Sequence, residues 1–226
     1  MNVIYEDNHI LIVAKKAGEI VQGDKTGDTP LSDMAKAYVK EKYHRPGNVF
    51  VGVVHRLDRP VSGLVCFART SKALSRLCAM FASHEQVRKT YWALVRKRPP
   101  QDEGTLVNWL TRDTRRNMAK AYDHEVPHSK KAVLDYRLLA TTDRYFLLEV
   151  NLHTGRHHQI RCQLAHMGCI IKGDLKYGAP RSNPDGSISL HARRICMEHP
   201  VSHQLIDVIA PVPEEPVWQS VASRLS

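Results

Sequence analysis

The sequence lacks the features of several large protein classes. Five cysteines are scattered over 226 residues without a C-x-x-C pair, so we expect reduced thiols and neither a disulfide framework nor a zinc knuckle. No stretch approaches the roughly 18 apolar residues of a membrane helix. The first residues also lack a basic segment followed by an apolar run, as a secretion signal would have. We therefore expect a cytoplasmic protein that does not span a membrane.

Motifs for bound metals and cofactors are also missing. Neither the H-x-E nor the P-C-x-x-C segment of zinc-dependent nucleobase deaminases occurs. His153 and His157 are four residues apart, but Thr154 and Gly155 between them are typical of a turn, which disfavours joint ligation from one helix. The glycines of segment 173–178 do not form a phosphate-binding loop. We expect no metal and no cofactor.

Acidic residues are in the minority, and low-complexity segments are absent. Hydrophobic residues make up 42% of the chain, which is typical of an ordinary folded protein, and the lack of a linker-like segment favours one domain over residues 1–226. Lys and Arg number 33 against 23 Asp and Glu, a formal net charge of +10. This excess suits a polyanionic partner such as RNA, although charge alone fits a merely basic protein about equally well.

The residue pattern of roughly the first hundred residues predicts strands that alternate with helices. Residues 3–5 and 10–14 have the composition of two paired strands. Thr29 is placed as the N-cap of an amphipathic helix that has Pro30 at its first position. The apolar run 49–54 predicts a buried strand that ends at a charged loop.

The second part is predicted to be richer in strands. Segment 101–129 is polar and basic with weak periodicity, and we interpret it as an irregular, partly mobile excursion. Strict alternation over 132–138 and 146–152 predicts two antiparallel strands. A helix is expected over about 157–167 and a closing hairpin over 188–210. The sequence therefore predicts an α+β fold with a largely antiparallel mixed sheet flanked by helices and loops.

A charged loop lies between two apolar runs. Segment 55–64 reads HRLDRPVSGL and sets Asp58 among His55, Arg56 and Arg59. Neighbouring cations keep such a carboxylate ionised even where it is shielded from water. Taken by itself, the pattern fits a structural ion pair at a strand end better than a catalytic site, because most surface charge clusters have no chemical role.

Resemblance to a known family changes that interpretation. HRLDRPVSG resembles the catalytic loop of the RluA family of RNA pseudouridine synthases. Segment 89–95, KTYWALV, is similar to the family's K-x-Y-x-A-x-V strand, and segment 154–161, TGRHHQIR, to its TGR-x-HQIR segment. Segment 168–178 is similar to G-x-x-I-x-GD-x-x-YG, and LHA at 190–192 to a strand near the end. The ordered set implies a pseudouridine synthase-like catalytic domain that acts on rRNA or tRNA.

The resemblance implies a role for each matched residue. Asp58 would be the nucleophile, Tyr91 the ring that packs against the target base, and Arg161 the ion-pair partner of Asp58. The implied substrate-binding residues are Arg56, which would fill the space left by a flipped uridine, His55, Arg156, Gln159 and Leu190. The candidate phosphate contacts, each by itself better explained as a solvated surface charge, are Lys89, Arg96, Lys97, Arg98, Arg112, Arg115 and Arg116.

The chemistry of the implied reaction suits these side chains. Isomerisation breaks the N-glycosidic bond, turns the uracil and joins ribose C1′ to base C5, without net redox change. A carboxylate can add covalently at the base or at the sugar and leave again, and the sequence does not decide between these two. An arginine cannot lose its proton and offers two parallel donors to a carboxylate.

Two other functions fit parts of the pattern. A catalytically silent RNA-binding module on the same fold would explain the charge, but it would not need a buried carboxylate that repels phosphate. A glycosidic-bond hydrolase would use two carboxylates, and the matched segments offer only Asp58 and Asp174. Many family members carry an N-terminal RNA-binding domain of the S4 type, whereas the sheet here begins at Val3. We expect a monomer whose catalytic domain selects the RNA, with segment 101–129 as a candidate contributor.

Overall fold

The chain forms two compact units. The computed structural model describes residues 1–83 and 85–225. The first unit comprises Met1–Arg88 and Ala192–Pro211, and the second comprises Lys89–His191 and Val212–Ser226. The assignment of residues 1–226 to one domain stays a prediction.

Strands outnumber helices in the described part of the chain. The strands are β1 (Asn2–Glu6), β2 (Ile10–Lys15), β3 (Gly52–Val53), β4 (Ser62–Ala68), β5 (Val87–Val95), β6 (Glu103–Asp113), β7 (Met118–Tyr122), β8 (Lys130–Thr141), β9 (Phe146–Leu152), β10 (Leu190–Glu198) and β11 (Leu205–Ile209). The helices are α1 (Leu31–Lys42), α2 (Ser71–Ser83), α3 (Gln159–His166) and α4 (Pro216–Ala222), with one 3₁₀ turn at Leu175–Tyr177. None of these helices is long and apolar enough to cross a membrane.

Strand β2 has helices on both of its faces in the first unit. It pairs antiparallel with β1 and β4, β4 lies beside β10, and β10 pairs with β11. Ile10 and Ile12 pack in the cluster that includes α2, whereas Leu11 and Val13 pack in the cluster that includes α1. A strand that is covered on both faces has a continuous apolar run instead of alternation, as this one does.

The second unit is an antiparallel sheet in the order β5-β9-β8-β6-β7. Trp92 and Leu94 of β5 pack with Trp218 of α4 on one face. Because successive side chains of a strand alternate, Tyr91 points to the other face. Cys162 of α3 packs on the small and apolar residues of β6, β7 and β8.

The predicted α+β class with a largely antiparallel sheet is confirmed. The hairpin β1–β2, the neighbouring strands β8 and β9, and the closing hairpin β10–β11 all form where the sequence predicts them. Helix α3 lies within the expected range 157–167. The parts with strong periodicity were thus predictable from the sequence alone.

The interpretation of segment 101–129 as irregular is wrong, because β6 and β7 form an antiparallel hairpin there. The inward positions of β6 include Gly104 and Asn108, so the alternation of apolar and polar residues is weak. Asn108 is buried because its side-chain oxygen accepts a hydrogen bond from Gln163 at 2.9 Å. The inward residues of β7 are alanines. Small and polar inward residues concealed two strands.

Two boundaries also differ from the predictions. Helix α1 is preceded by Pro30 without a side-chain cap, so Thr29 is not its N-cap. The first peptide N–H groups instead donate to the carbonyl oxygens of Ile20 at 2.7 Å and Val21 at 3.1 Å, which satisfies helical donors that a cap would otherwise serve. Of the predicted strand 49–54, only Gly52 and Val53 are paired.

Candidate active site

Asp58 lies in the loop that joins β3 to β4. The peptide N–H of Val61 donates to the carbonyl oxygen of Asp58 at 3.0 Å, which closes a tight turn directly after the carboxylate. The turn contains Pro60, whose ring fixes one backbone dihedral angle. Asp58 is partly buried, so its carboxylate is held on a turn with little backbone freedom.

A buried lysine of the first unit holds this turn from within. Lys15, at the end of β2, is 2% exposed. Its Nζ donates to the carbonyl oxygens of Arg59 at 3.0 Å and Val61 at 2.6 Å. Burial lowers the pKa of Lys15 to about 8, and the negative charges of Glu19 and Asp58 oppose that shift. Lys15 therefore fixes the position of the turn and places a buried ammonium group beneath it.

The outer side of the turn is attached through Arg59. Its guanidinium donates to the carboxylate of Asp28 at 2.7 Å and to the hydroxyl of Thr26 at 2.9 Å. The peptide N–H of Gly18 donates to the carbonyl oxygen of Arg59 at 2.8 Å. The ion pair is exposed and adds little stability by itself, but the turn is held on two sides.

Close contacts also fix the two ends of the loop. Nε2 of His55 accepts the peptide N–H of Cys66 at 3.0 Å, and the ring stacks on Phe81 with 4.6 Å between centroids. Gly63 has a φ of +116°, and a Cβ atom there would lie 2.3 Å from the carbonyl oxygen of Ala192. Only glycine allows this approach, so the chain leaves the loop along one path.

Tyr91 of the second unit lies on β5, is 9% exposed and faces Val150 of β9 in the register. Lys89 lies two residues earlier and therefore on the same face of the sheet. Lys89 is 8% exposed, and burial lowers its pKa to about 8. It is thus a buried cation on the Tyr91 face, unlike the surface phosphate contact that the sequence suggested.

Arg161 of α3 forms a buried, two-pronged ion pair with Asp174. Its Nε donates to Oδ2 at 2.7 Å and its Nη2 donates to Oδ1 at 2.8 Å. Arg161 is 5% exposed and Asp174 is 1% exposed. The paired geometry fixes the guanidinium plane, and removal of either partner would break two charge-assisted hydrogen bonds in a buried position.

Two rings continue this network beyond the ion pair. Nη1 of Arg161 donates to Nε2 of His158 at 3.0 Å, and Nδ1 of His158 lies 2.9 Å from the hydroxyl of Tyr177. Because arginine only donates, Nε2 of His158 carries no proton, and Nδ1 carries the proton of a neutral imidazole. The same hydroxyl accepts the peptide N–H of Ala119 at 2.8 Å. Burial raises the pKa of Tyr177 to about 12, so its hydroxyl stays protonated near neutral pH.

Gln159 organises the turn that precedes α3. Its Oε1 accepts the hydroxyl of Thr154 at 2.8 Å and the peptide N–H of Arg156 at 2.9 Å, while its Nε2 donates to the carbonyl oxygen of Val133 at 3.1 Å. Gln159 is 3% exposed. The exposed Arg156 donates from Nε to the carbonyl oxygen of Lys131 at 3.0 Å. The TGR segment is therefore attached to β8 by side-chain contacts.

The structure divides the predicted site residues into two groups. Those in the first unit are His55, Arg56 and Asp58, and those in the second are Tyr91, Arg156, Gln159, Arg161 and Leu190. Arg56 is exposed, whereas Leu190 is 4% exposed. The roles of these residues, and the pairing of Arg161 with Asp58, stay predictions.

The sequence did not predict the four residues that support the Asp58 turn and Arg161. Lys15 could have been suspected because it extends the apolar run 10–14 within one strand. Asp174 was considered only as the second carboxylate of a hydrolase, but its oxygens are engaged by Arg161. No sequence pattern assigned His158 or Tyr177 to the network. Because both oxygens of Asp174 already accept hydrogen bonds from Arg161, Asp174 is a poor candidate for the second carboxylate of a hydrolase.

Neither unit by itself presents an obvious metal centre. Within each unit, the residues that the structure describes bring together no three His, Cys, Asp or Glu ligand atoms. The adjacent rings of His157 and His158 are stacked with 3.9 Å between centroids. Both ring nitrogens of His158 are engaged, one by Nη1 of Arg161 and the other by the hydroxyl of Tyr177.

Comparison with known proteins assigns the family. The model of the RNA pseudouridylate synthase family matches residues 9–166. The chain belongs to this family. Among its relatives, an uncharacterized RNA pseudouridine synthase of Chloroflexus aurantiacus is 42% identical over 75% of this chain and 52% of its own length. The match therefore spans about half of that relative. The tRNA pseudouridine synthase C of Vibrio cholerae is 30% identical over 99% of this chain and 95% of its own length.

A solved structure agrees on the fold. Human RNA pseudouridylate synthase domain containing 4 superposes with a TM-score of 0.80, covering 99% of this chain and 92% of its own. Only 20% of the residues are identical, so this similarity concerns the fold. It supports the α+β architecture of a pseudouridine synthase.

Proposed function

We propose that this protein isomerises specific uridines of structured tRNA or rRNA to pseudouridine, with Asp58 as the nucleophile. The observation that carries the proposal is the match of the family model to residues 9–166, which includes Asp58 on its fixed turn. A nucleophile benefits from a rigid position, because catalysis depends on holding reacting atoms in place. Lys15 supplies that rigidity through the backbone of the turn.

The proposed reaction conserves all atoms of the uridine. The carboxylate of Asp58 adds to the base or to ribose C1′, the bond between N1 and C1′ breaks, and the uracil turns while it stays bound. The bond between C1′ and C5 then forms, the carboxylate leaves, the proton on C5 is released to solvent, and N1 takes up a proton in its place. Both sites of attack are compatible with a carboxylate nucleophile.

Tyr91 and Arg161 are proposed to complete the catalytic set. Tyr91 provides a flat ring that suits stacking on the uracil, and a hydroxyl that suits proton removal from C5. Arg161 is proposed to steady the ionised carboxylate of Asp58. Its orientation by Asp174 supports this role, because a guanidinium already fixed in its plane loses little freedom when it binds a further group.

Access to a stacked uridine requires that the base be extruded from the RNA. The exposed Arg56 is proposed to occupy the space that the base leaves, where a planar guanidinium can stack. The +10 net charge supports binding to the phosphate backbone. The exposed arginines at the β6–β7 turn, Arg112, Arg115 and Arg116, are candidates for that contact.

The first experiment is tritium release from RNA labelled at uracil C5. Incubation of the purified protein with C5-tritiated tRNA and rRNA transcripts should release the label as water, because isomerisation replaces the hydrogen at C5. A catalytically silent RNA-binding module would bind the transcripts without release. A glycosidic-bond hydrolase would free uracil without release, so the three functions give different results.

The choice of RNA is the finer part of the proposal. The Vibrio cholerae relative is a tRNA pseudouridine synthase by name, which favours tRNA, and rRNA is the other candidate. Mapping of pseudouridines in RNA from cells that lack this protein should show loss at the positions it modifies. The free thiols suit a reducing compartment, and we expect the protein to act in the cytoplasm as a monomer.

A further inference from the structure

A pocket of about 280 Å³ lies in the second unit beyond the end of β5. Two basic side chains and four apolar ones line it, together with a glycine. The basic residues are Arg96 and Lys97, and the apolar ones are Ile170, Ile171, Ala179 and Pro180. A mostly apolar cavity with a few charged groups is the usual form of a small-ligand site, and this volume is close to the lower end of the range.

Backbone contacts fix the pocket walls. Ile171 forms an antiparallel bridge with Val95, and the peptide N–H of Lys172 donates to the carbonyl oxygen of Leu94 at 2.8 Å. The peptide N–H of Ala179 donates to the carbonyl oxygen of Asp174 at 3.0 Å. The wall therefore belongs to the same segment that carries the partner of Arg161, and the pocket is preformed.

The two cations of the pocket are available to an anion. Arg96 and Lys97 are exposed, and neither forms an ion pair with any residue in ranges 1–83 and 85–225. The next residue differs, because Arg98 pairs with Asp102 at 2.7 Å. Gly168, with a φ of +87°, faces Nζ of Lys97, where a Cβ would lie 3.6 Å away. Positive charge thus lies at the edge of an apolar cavity.

The pocket lies beyond the end of the strand that carries Tyr91. Tyr91 and Val95 are four residues apart on β5, which at about 3.3 Å per residue corresponds to roughly 13 Å. Arg96 follows Val95 directly. When a base packs against Tyr91, the pocket is still open to another nucleotide of the same RNA strand.

We propose that this pocket binds an unpaired nucleotide of the RNA substrate other than the uridine that is isomerised. The base packs against Ile170 and Pro180, and the adjoining phosphate contacts Arg96 and Lys97. Unpaired bases are the parts of RNA that proteins most readily select, because they can be turned into pockets. This inference rests on the proposed function, and it gives the catalytic unit its own means of choosing a substrate.

Methyl NMR spectroscopy tests the pocket directly. Protein labelled at isoleucine methyl groups is titrated with uridine and adenosine 5′-monophosphates, with the unphosphorylated nucleosides and with inorganic phosphate. We expect the Ile170 and Ile171 signals to shift with the nucleotides, more weakly with the nucleosides and least with phosphate. Equal shifts from phosphate and nucleotides would identify a simple anion site and overturn the proposal, as would unchanged Ile170 and Ile171 signals.

Two variants test the role of the pocket in turnover. Ile170→Trp fills the cavity from a partly exposed wall, and Lys97→Gln removes a cation from its edge. Each should raise KM for the RNA about fivefold to tenfold, in line with one lost base or phosphate contact, and leave kcat unchanged. Arg144→Gln removes an exposed charge from the β8–β9 turn, outside the pocket lining, and should leave KM within about twofold of the parent value.

The results separate this inference from the proposed function. Nucleotide-dependent shifts in a protein that releases no tritium would retain the pocket and reject the isomerase. Tritium release with the parent KM in both Ile170→Trp and Lys97→Gln would retain the isomerase and reject the pocket. Circular dichroism of each variant checks that the fold is intact, and the NMR titration of the parent protein does not depend on any variant.

Discussion

The Asp58 turn and the start of α3 are held in place by different means. Lys15 contacts the Asp58 turn mainly through backbone carbonyl oxygens. Arg161 in α3 is held through the side chains of Asp174 and His158. One segment depends on its backbone path and the other depends on the chemical identity of its side chains.

This difference indicates which substitutions each segment tolerates. A turn held by its carbonyl oxygens keeps its shape when its own side chains change, so a substitution there can affect chemistry without much loss of stability. A segment held by a buried ion pair loses stability when either partner changes, because two buried charge-assisted hydrogen bonds are lost. Substitutions in the Asp58 turn should therefore lower activity with little change in the free energy of unfolding. Substitutions in the Arg161–Asp174 pair should lower both.

The largest expected effect is on turnover in Asp58→Asn. The amide is nearly isosteric but cannot act as a carboxylate nucleophile, so we expect tritium release to fall by at least about 10³-fold. RNA affinity, measured by filter binding, should change little because the residue acts in the transition state more than in ground-state binding. Asp33→Asn, at an exposed carboxylate on α1, is the matched control. Turnover near the parent rate in Asp58→Asn would remove the nucleophile assignment.

Asp174→Ala should have the largest effect on stability. It removes the carboxylate that accepts from Nε and Nη2 of Arg161, and we expect the free energy of unfolding to fall by about 3–5 kcal/mol. Urea denaturation measures the change. Asp207→Ala is the control, because its ion pair with Arg194 is partly exposed and should contribute less than about 1 kcal/mol. Equal losses in the two variants would show that burial does not decide the effect.

Arg161→Lys keeps the charge of the segment but removes its planar fork. A lysine ammonium cannot satisfy both oxygens of Asp174 in parallel, nor keep His158 in its present position. We expect turnover to fall about a hundredfold, the usual effect of one misplaced donor to a reacting group. Single-turnover tritium release, measured with saturating protein, separates this effect from RNA binding. A rate within a few-fold of the parent would show that the fork geometry is unimportant.

Lys15→Met tests the backbone-held segment. The variant removes the donor from three carbonyl oxygens, those of Lys16, Arg59 and Val61, and also relieves the desolvation of the ammonium. We expect a net loss of about 2 kcal/mol at pH 7.5, because unsatisfied buried acceptors are costly. Turnover should fall as well, since the turn that carries Asp58 loses its internal support.

The pH dependence of the Lys15→Met effect has a definite sign. The folded protein releases the Lys15 proton near pH 8, whereas the ordinary pKa is 10.5. Between these values the unfolded chain binds more protons, so the parent gains stability as pH rises, by up to about 3 kcal/mol. The gap between parent and variant should therefore widen from pH 7.5 to 9.5 in urea denaturation. Lys89 is common to both proteins and cancels. A gap that is constant or narrows would contradict the lowered pKa.

Sequence reasoning succeeded where local pattern and structure agree. The alternation over β8 and β9 and the composition of β1 and β2 predicted strands that form. It failed where long-range contacts decide. The hairpin β6–β7 has Gly104 and Asn108 at inward positions, and the burial of Asn108 depends on Gln163 from another element. The start of α1 is satisfied by carbonyl oxygens of residues 20 and 21 instead of a cap.

The site shows the same division. The positions of Asp58, Tyr91 and Arg161 in motifs were evident from resemblance, because motif residues are local in sequence. The residues that hold them in place were not evident from the sequence. Lys15 contacts a turn more than 40 residues away, and Asp174 binds Arg161 from beyond the end of α3. Hydrogen-bond partners of a buried charge are chosen by the fold, and a single sequence does not list them.

Tyr177→Phe tests the hydroxyl at the end of the network around Arg161. The hydroxyl accepts the peptide N–H of Ala119 and lies within hydrogen-bond distance of Nδ1 of His158, so its removal leaves two buried donors without an acceptor. We expect a loss of about 2 kcal/mol in urea denaturation. Tyr122→Phe, on a partly buried tyrosine of β7, should change stability by no more than about 0.5 kcal/mol.

Nitrogen-15 NMR of the histidine rings tests the physical reason for the Tyr177→Phe effect. In the parent, His158 should be neutral with its proton on Nδ1, because Nε2 accepts from Arg161. In Tyr177→Phe the Nδ1 proton loses its acceptor, and the His158 resonances should broaden or move while the Arg161–Asp174 pair persists. A proton on Nε2 in the parent would mean that Arg161 does not donate to this ring. The start of α3 would then be held through the Arg161–Asp174 ion pair without this ring, and it would resemble the Asp58 turn more closely, because each would depend on one buried cation.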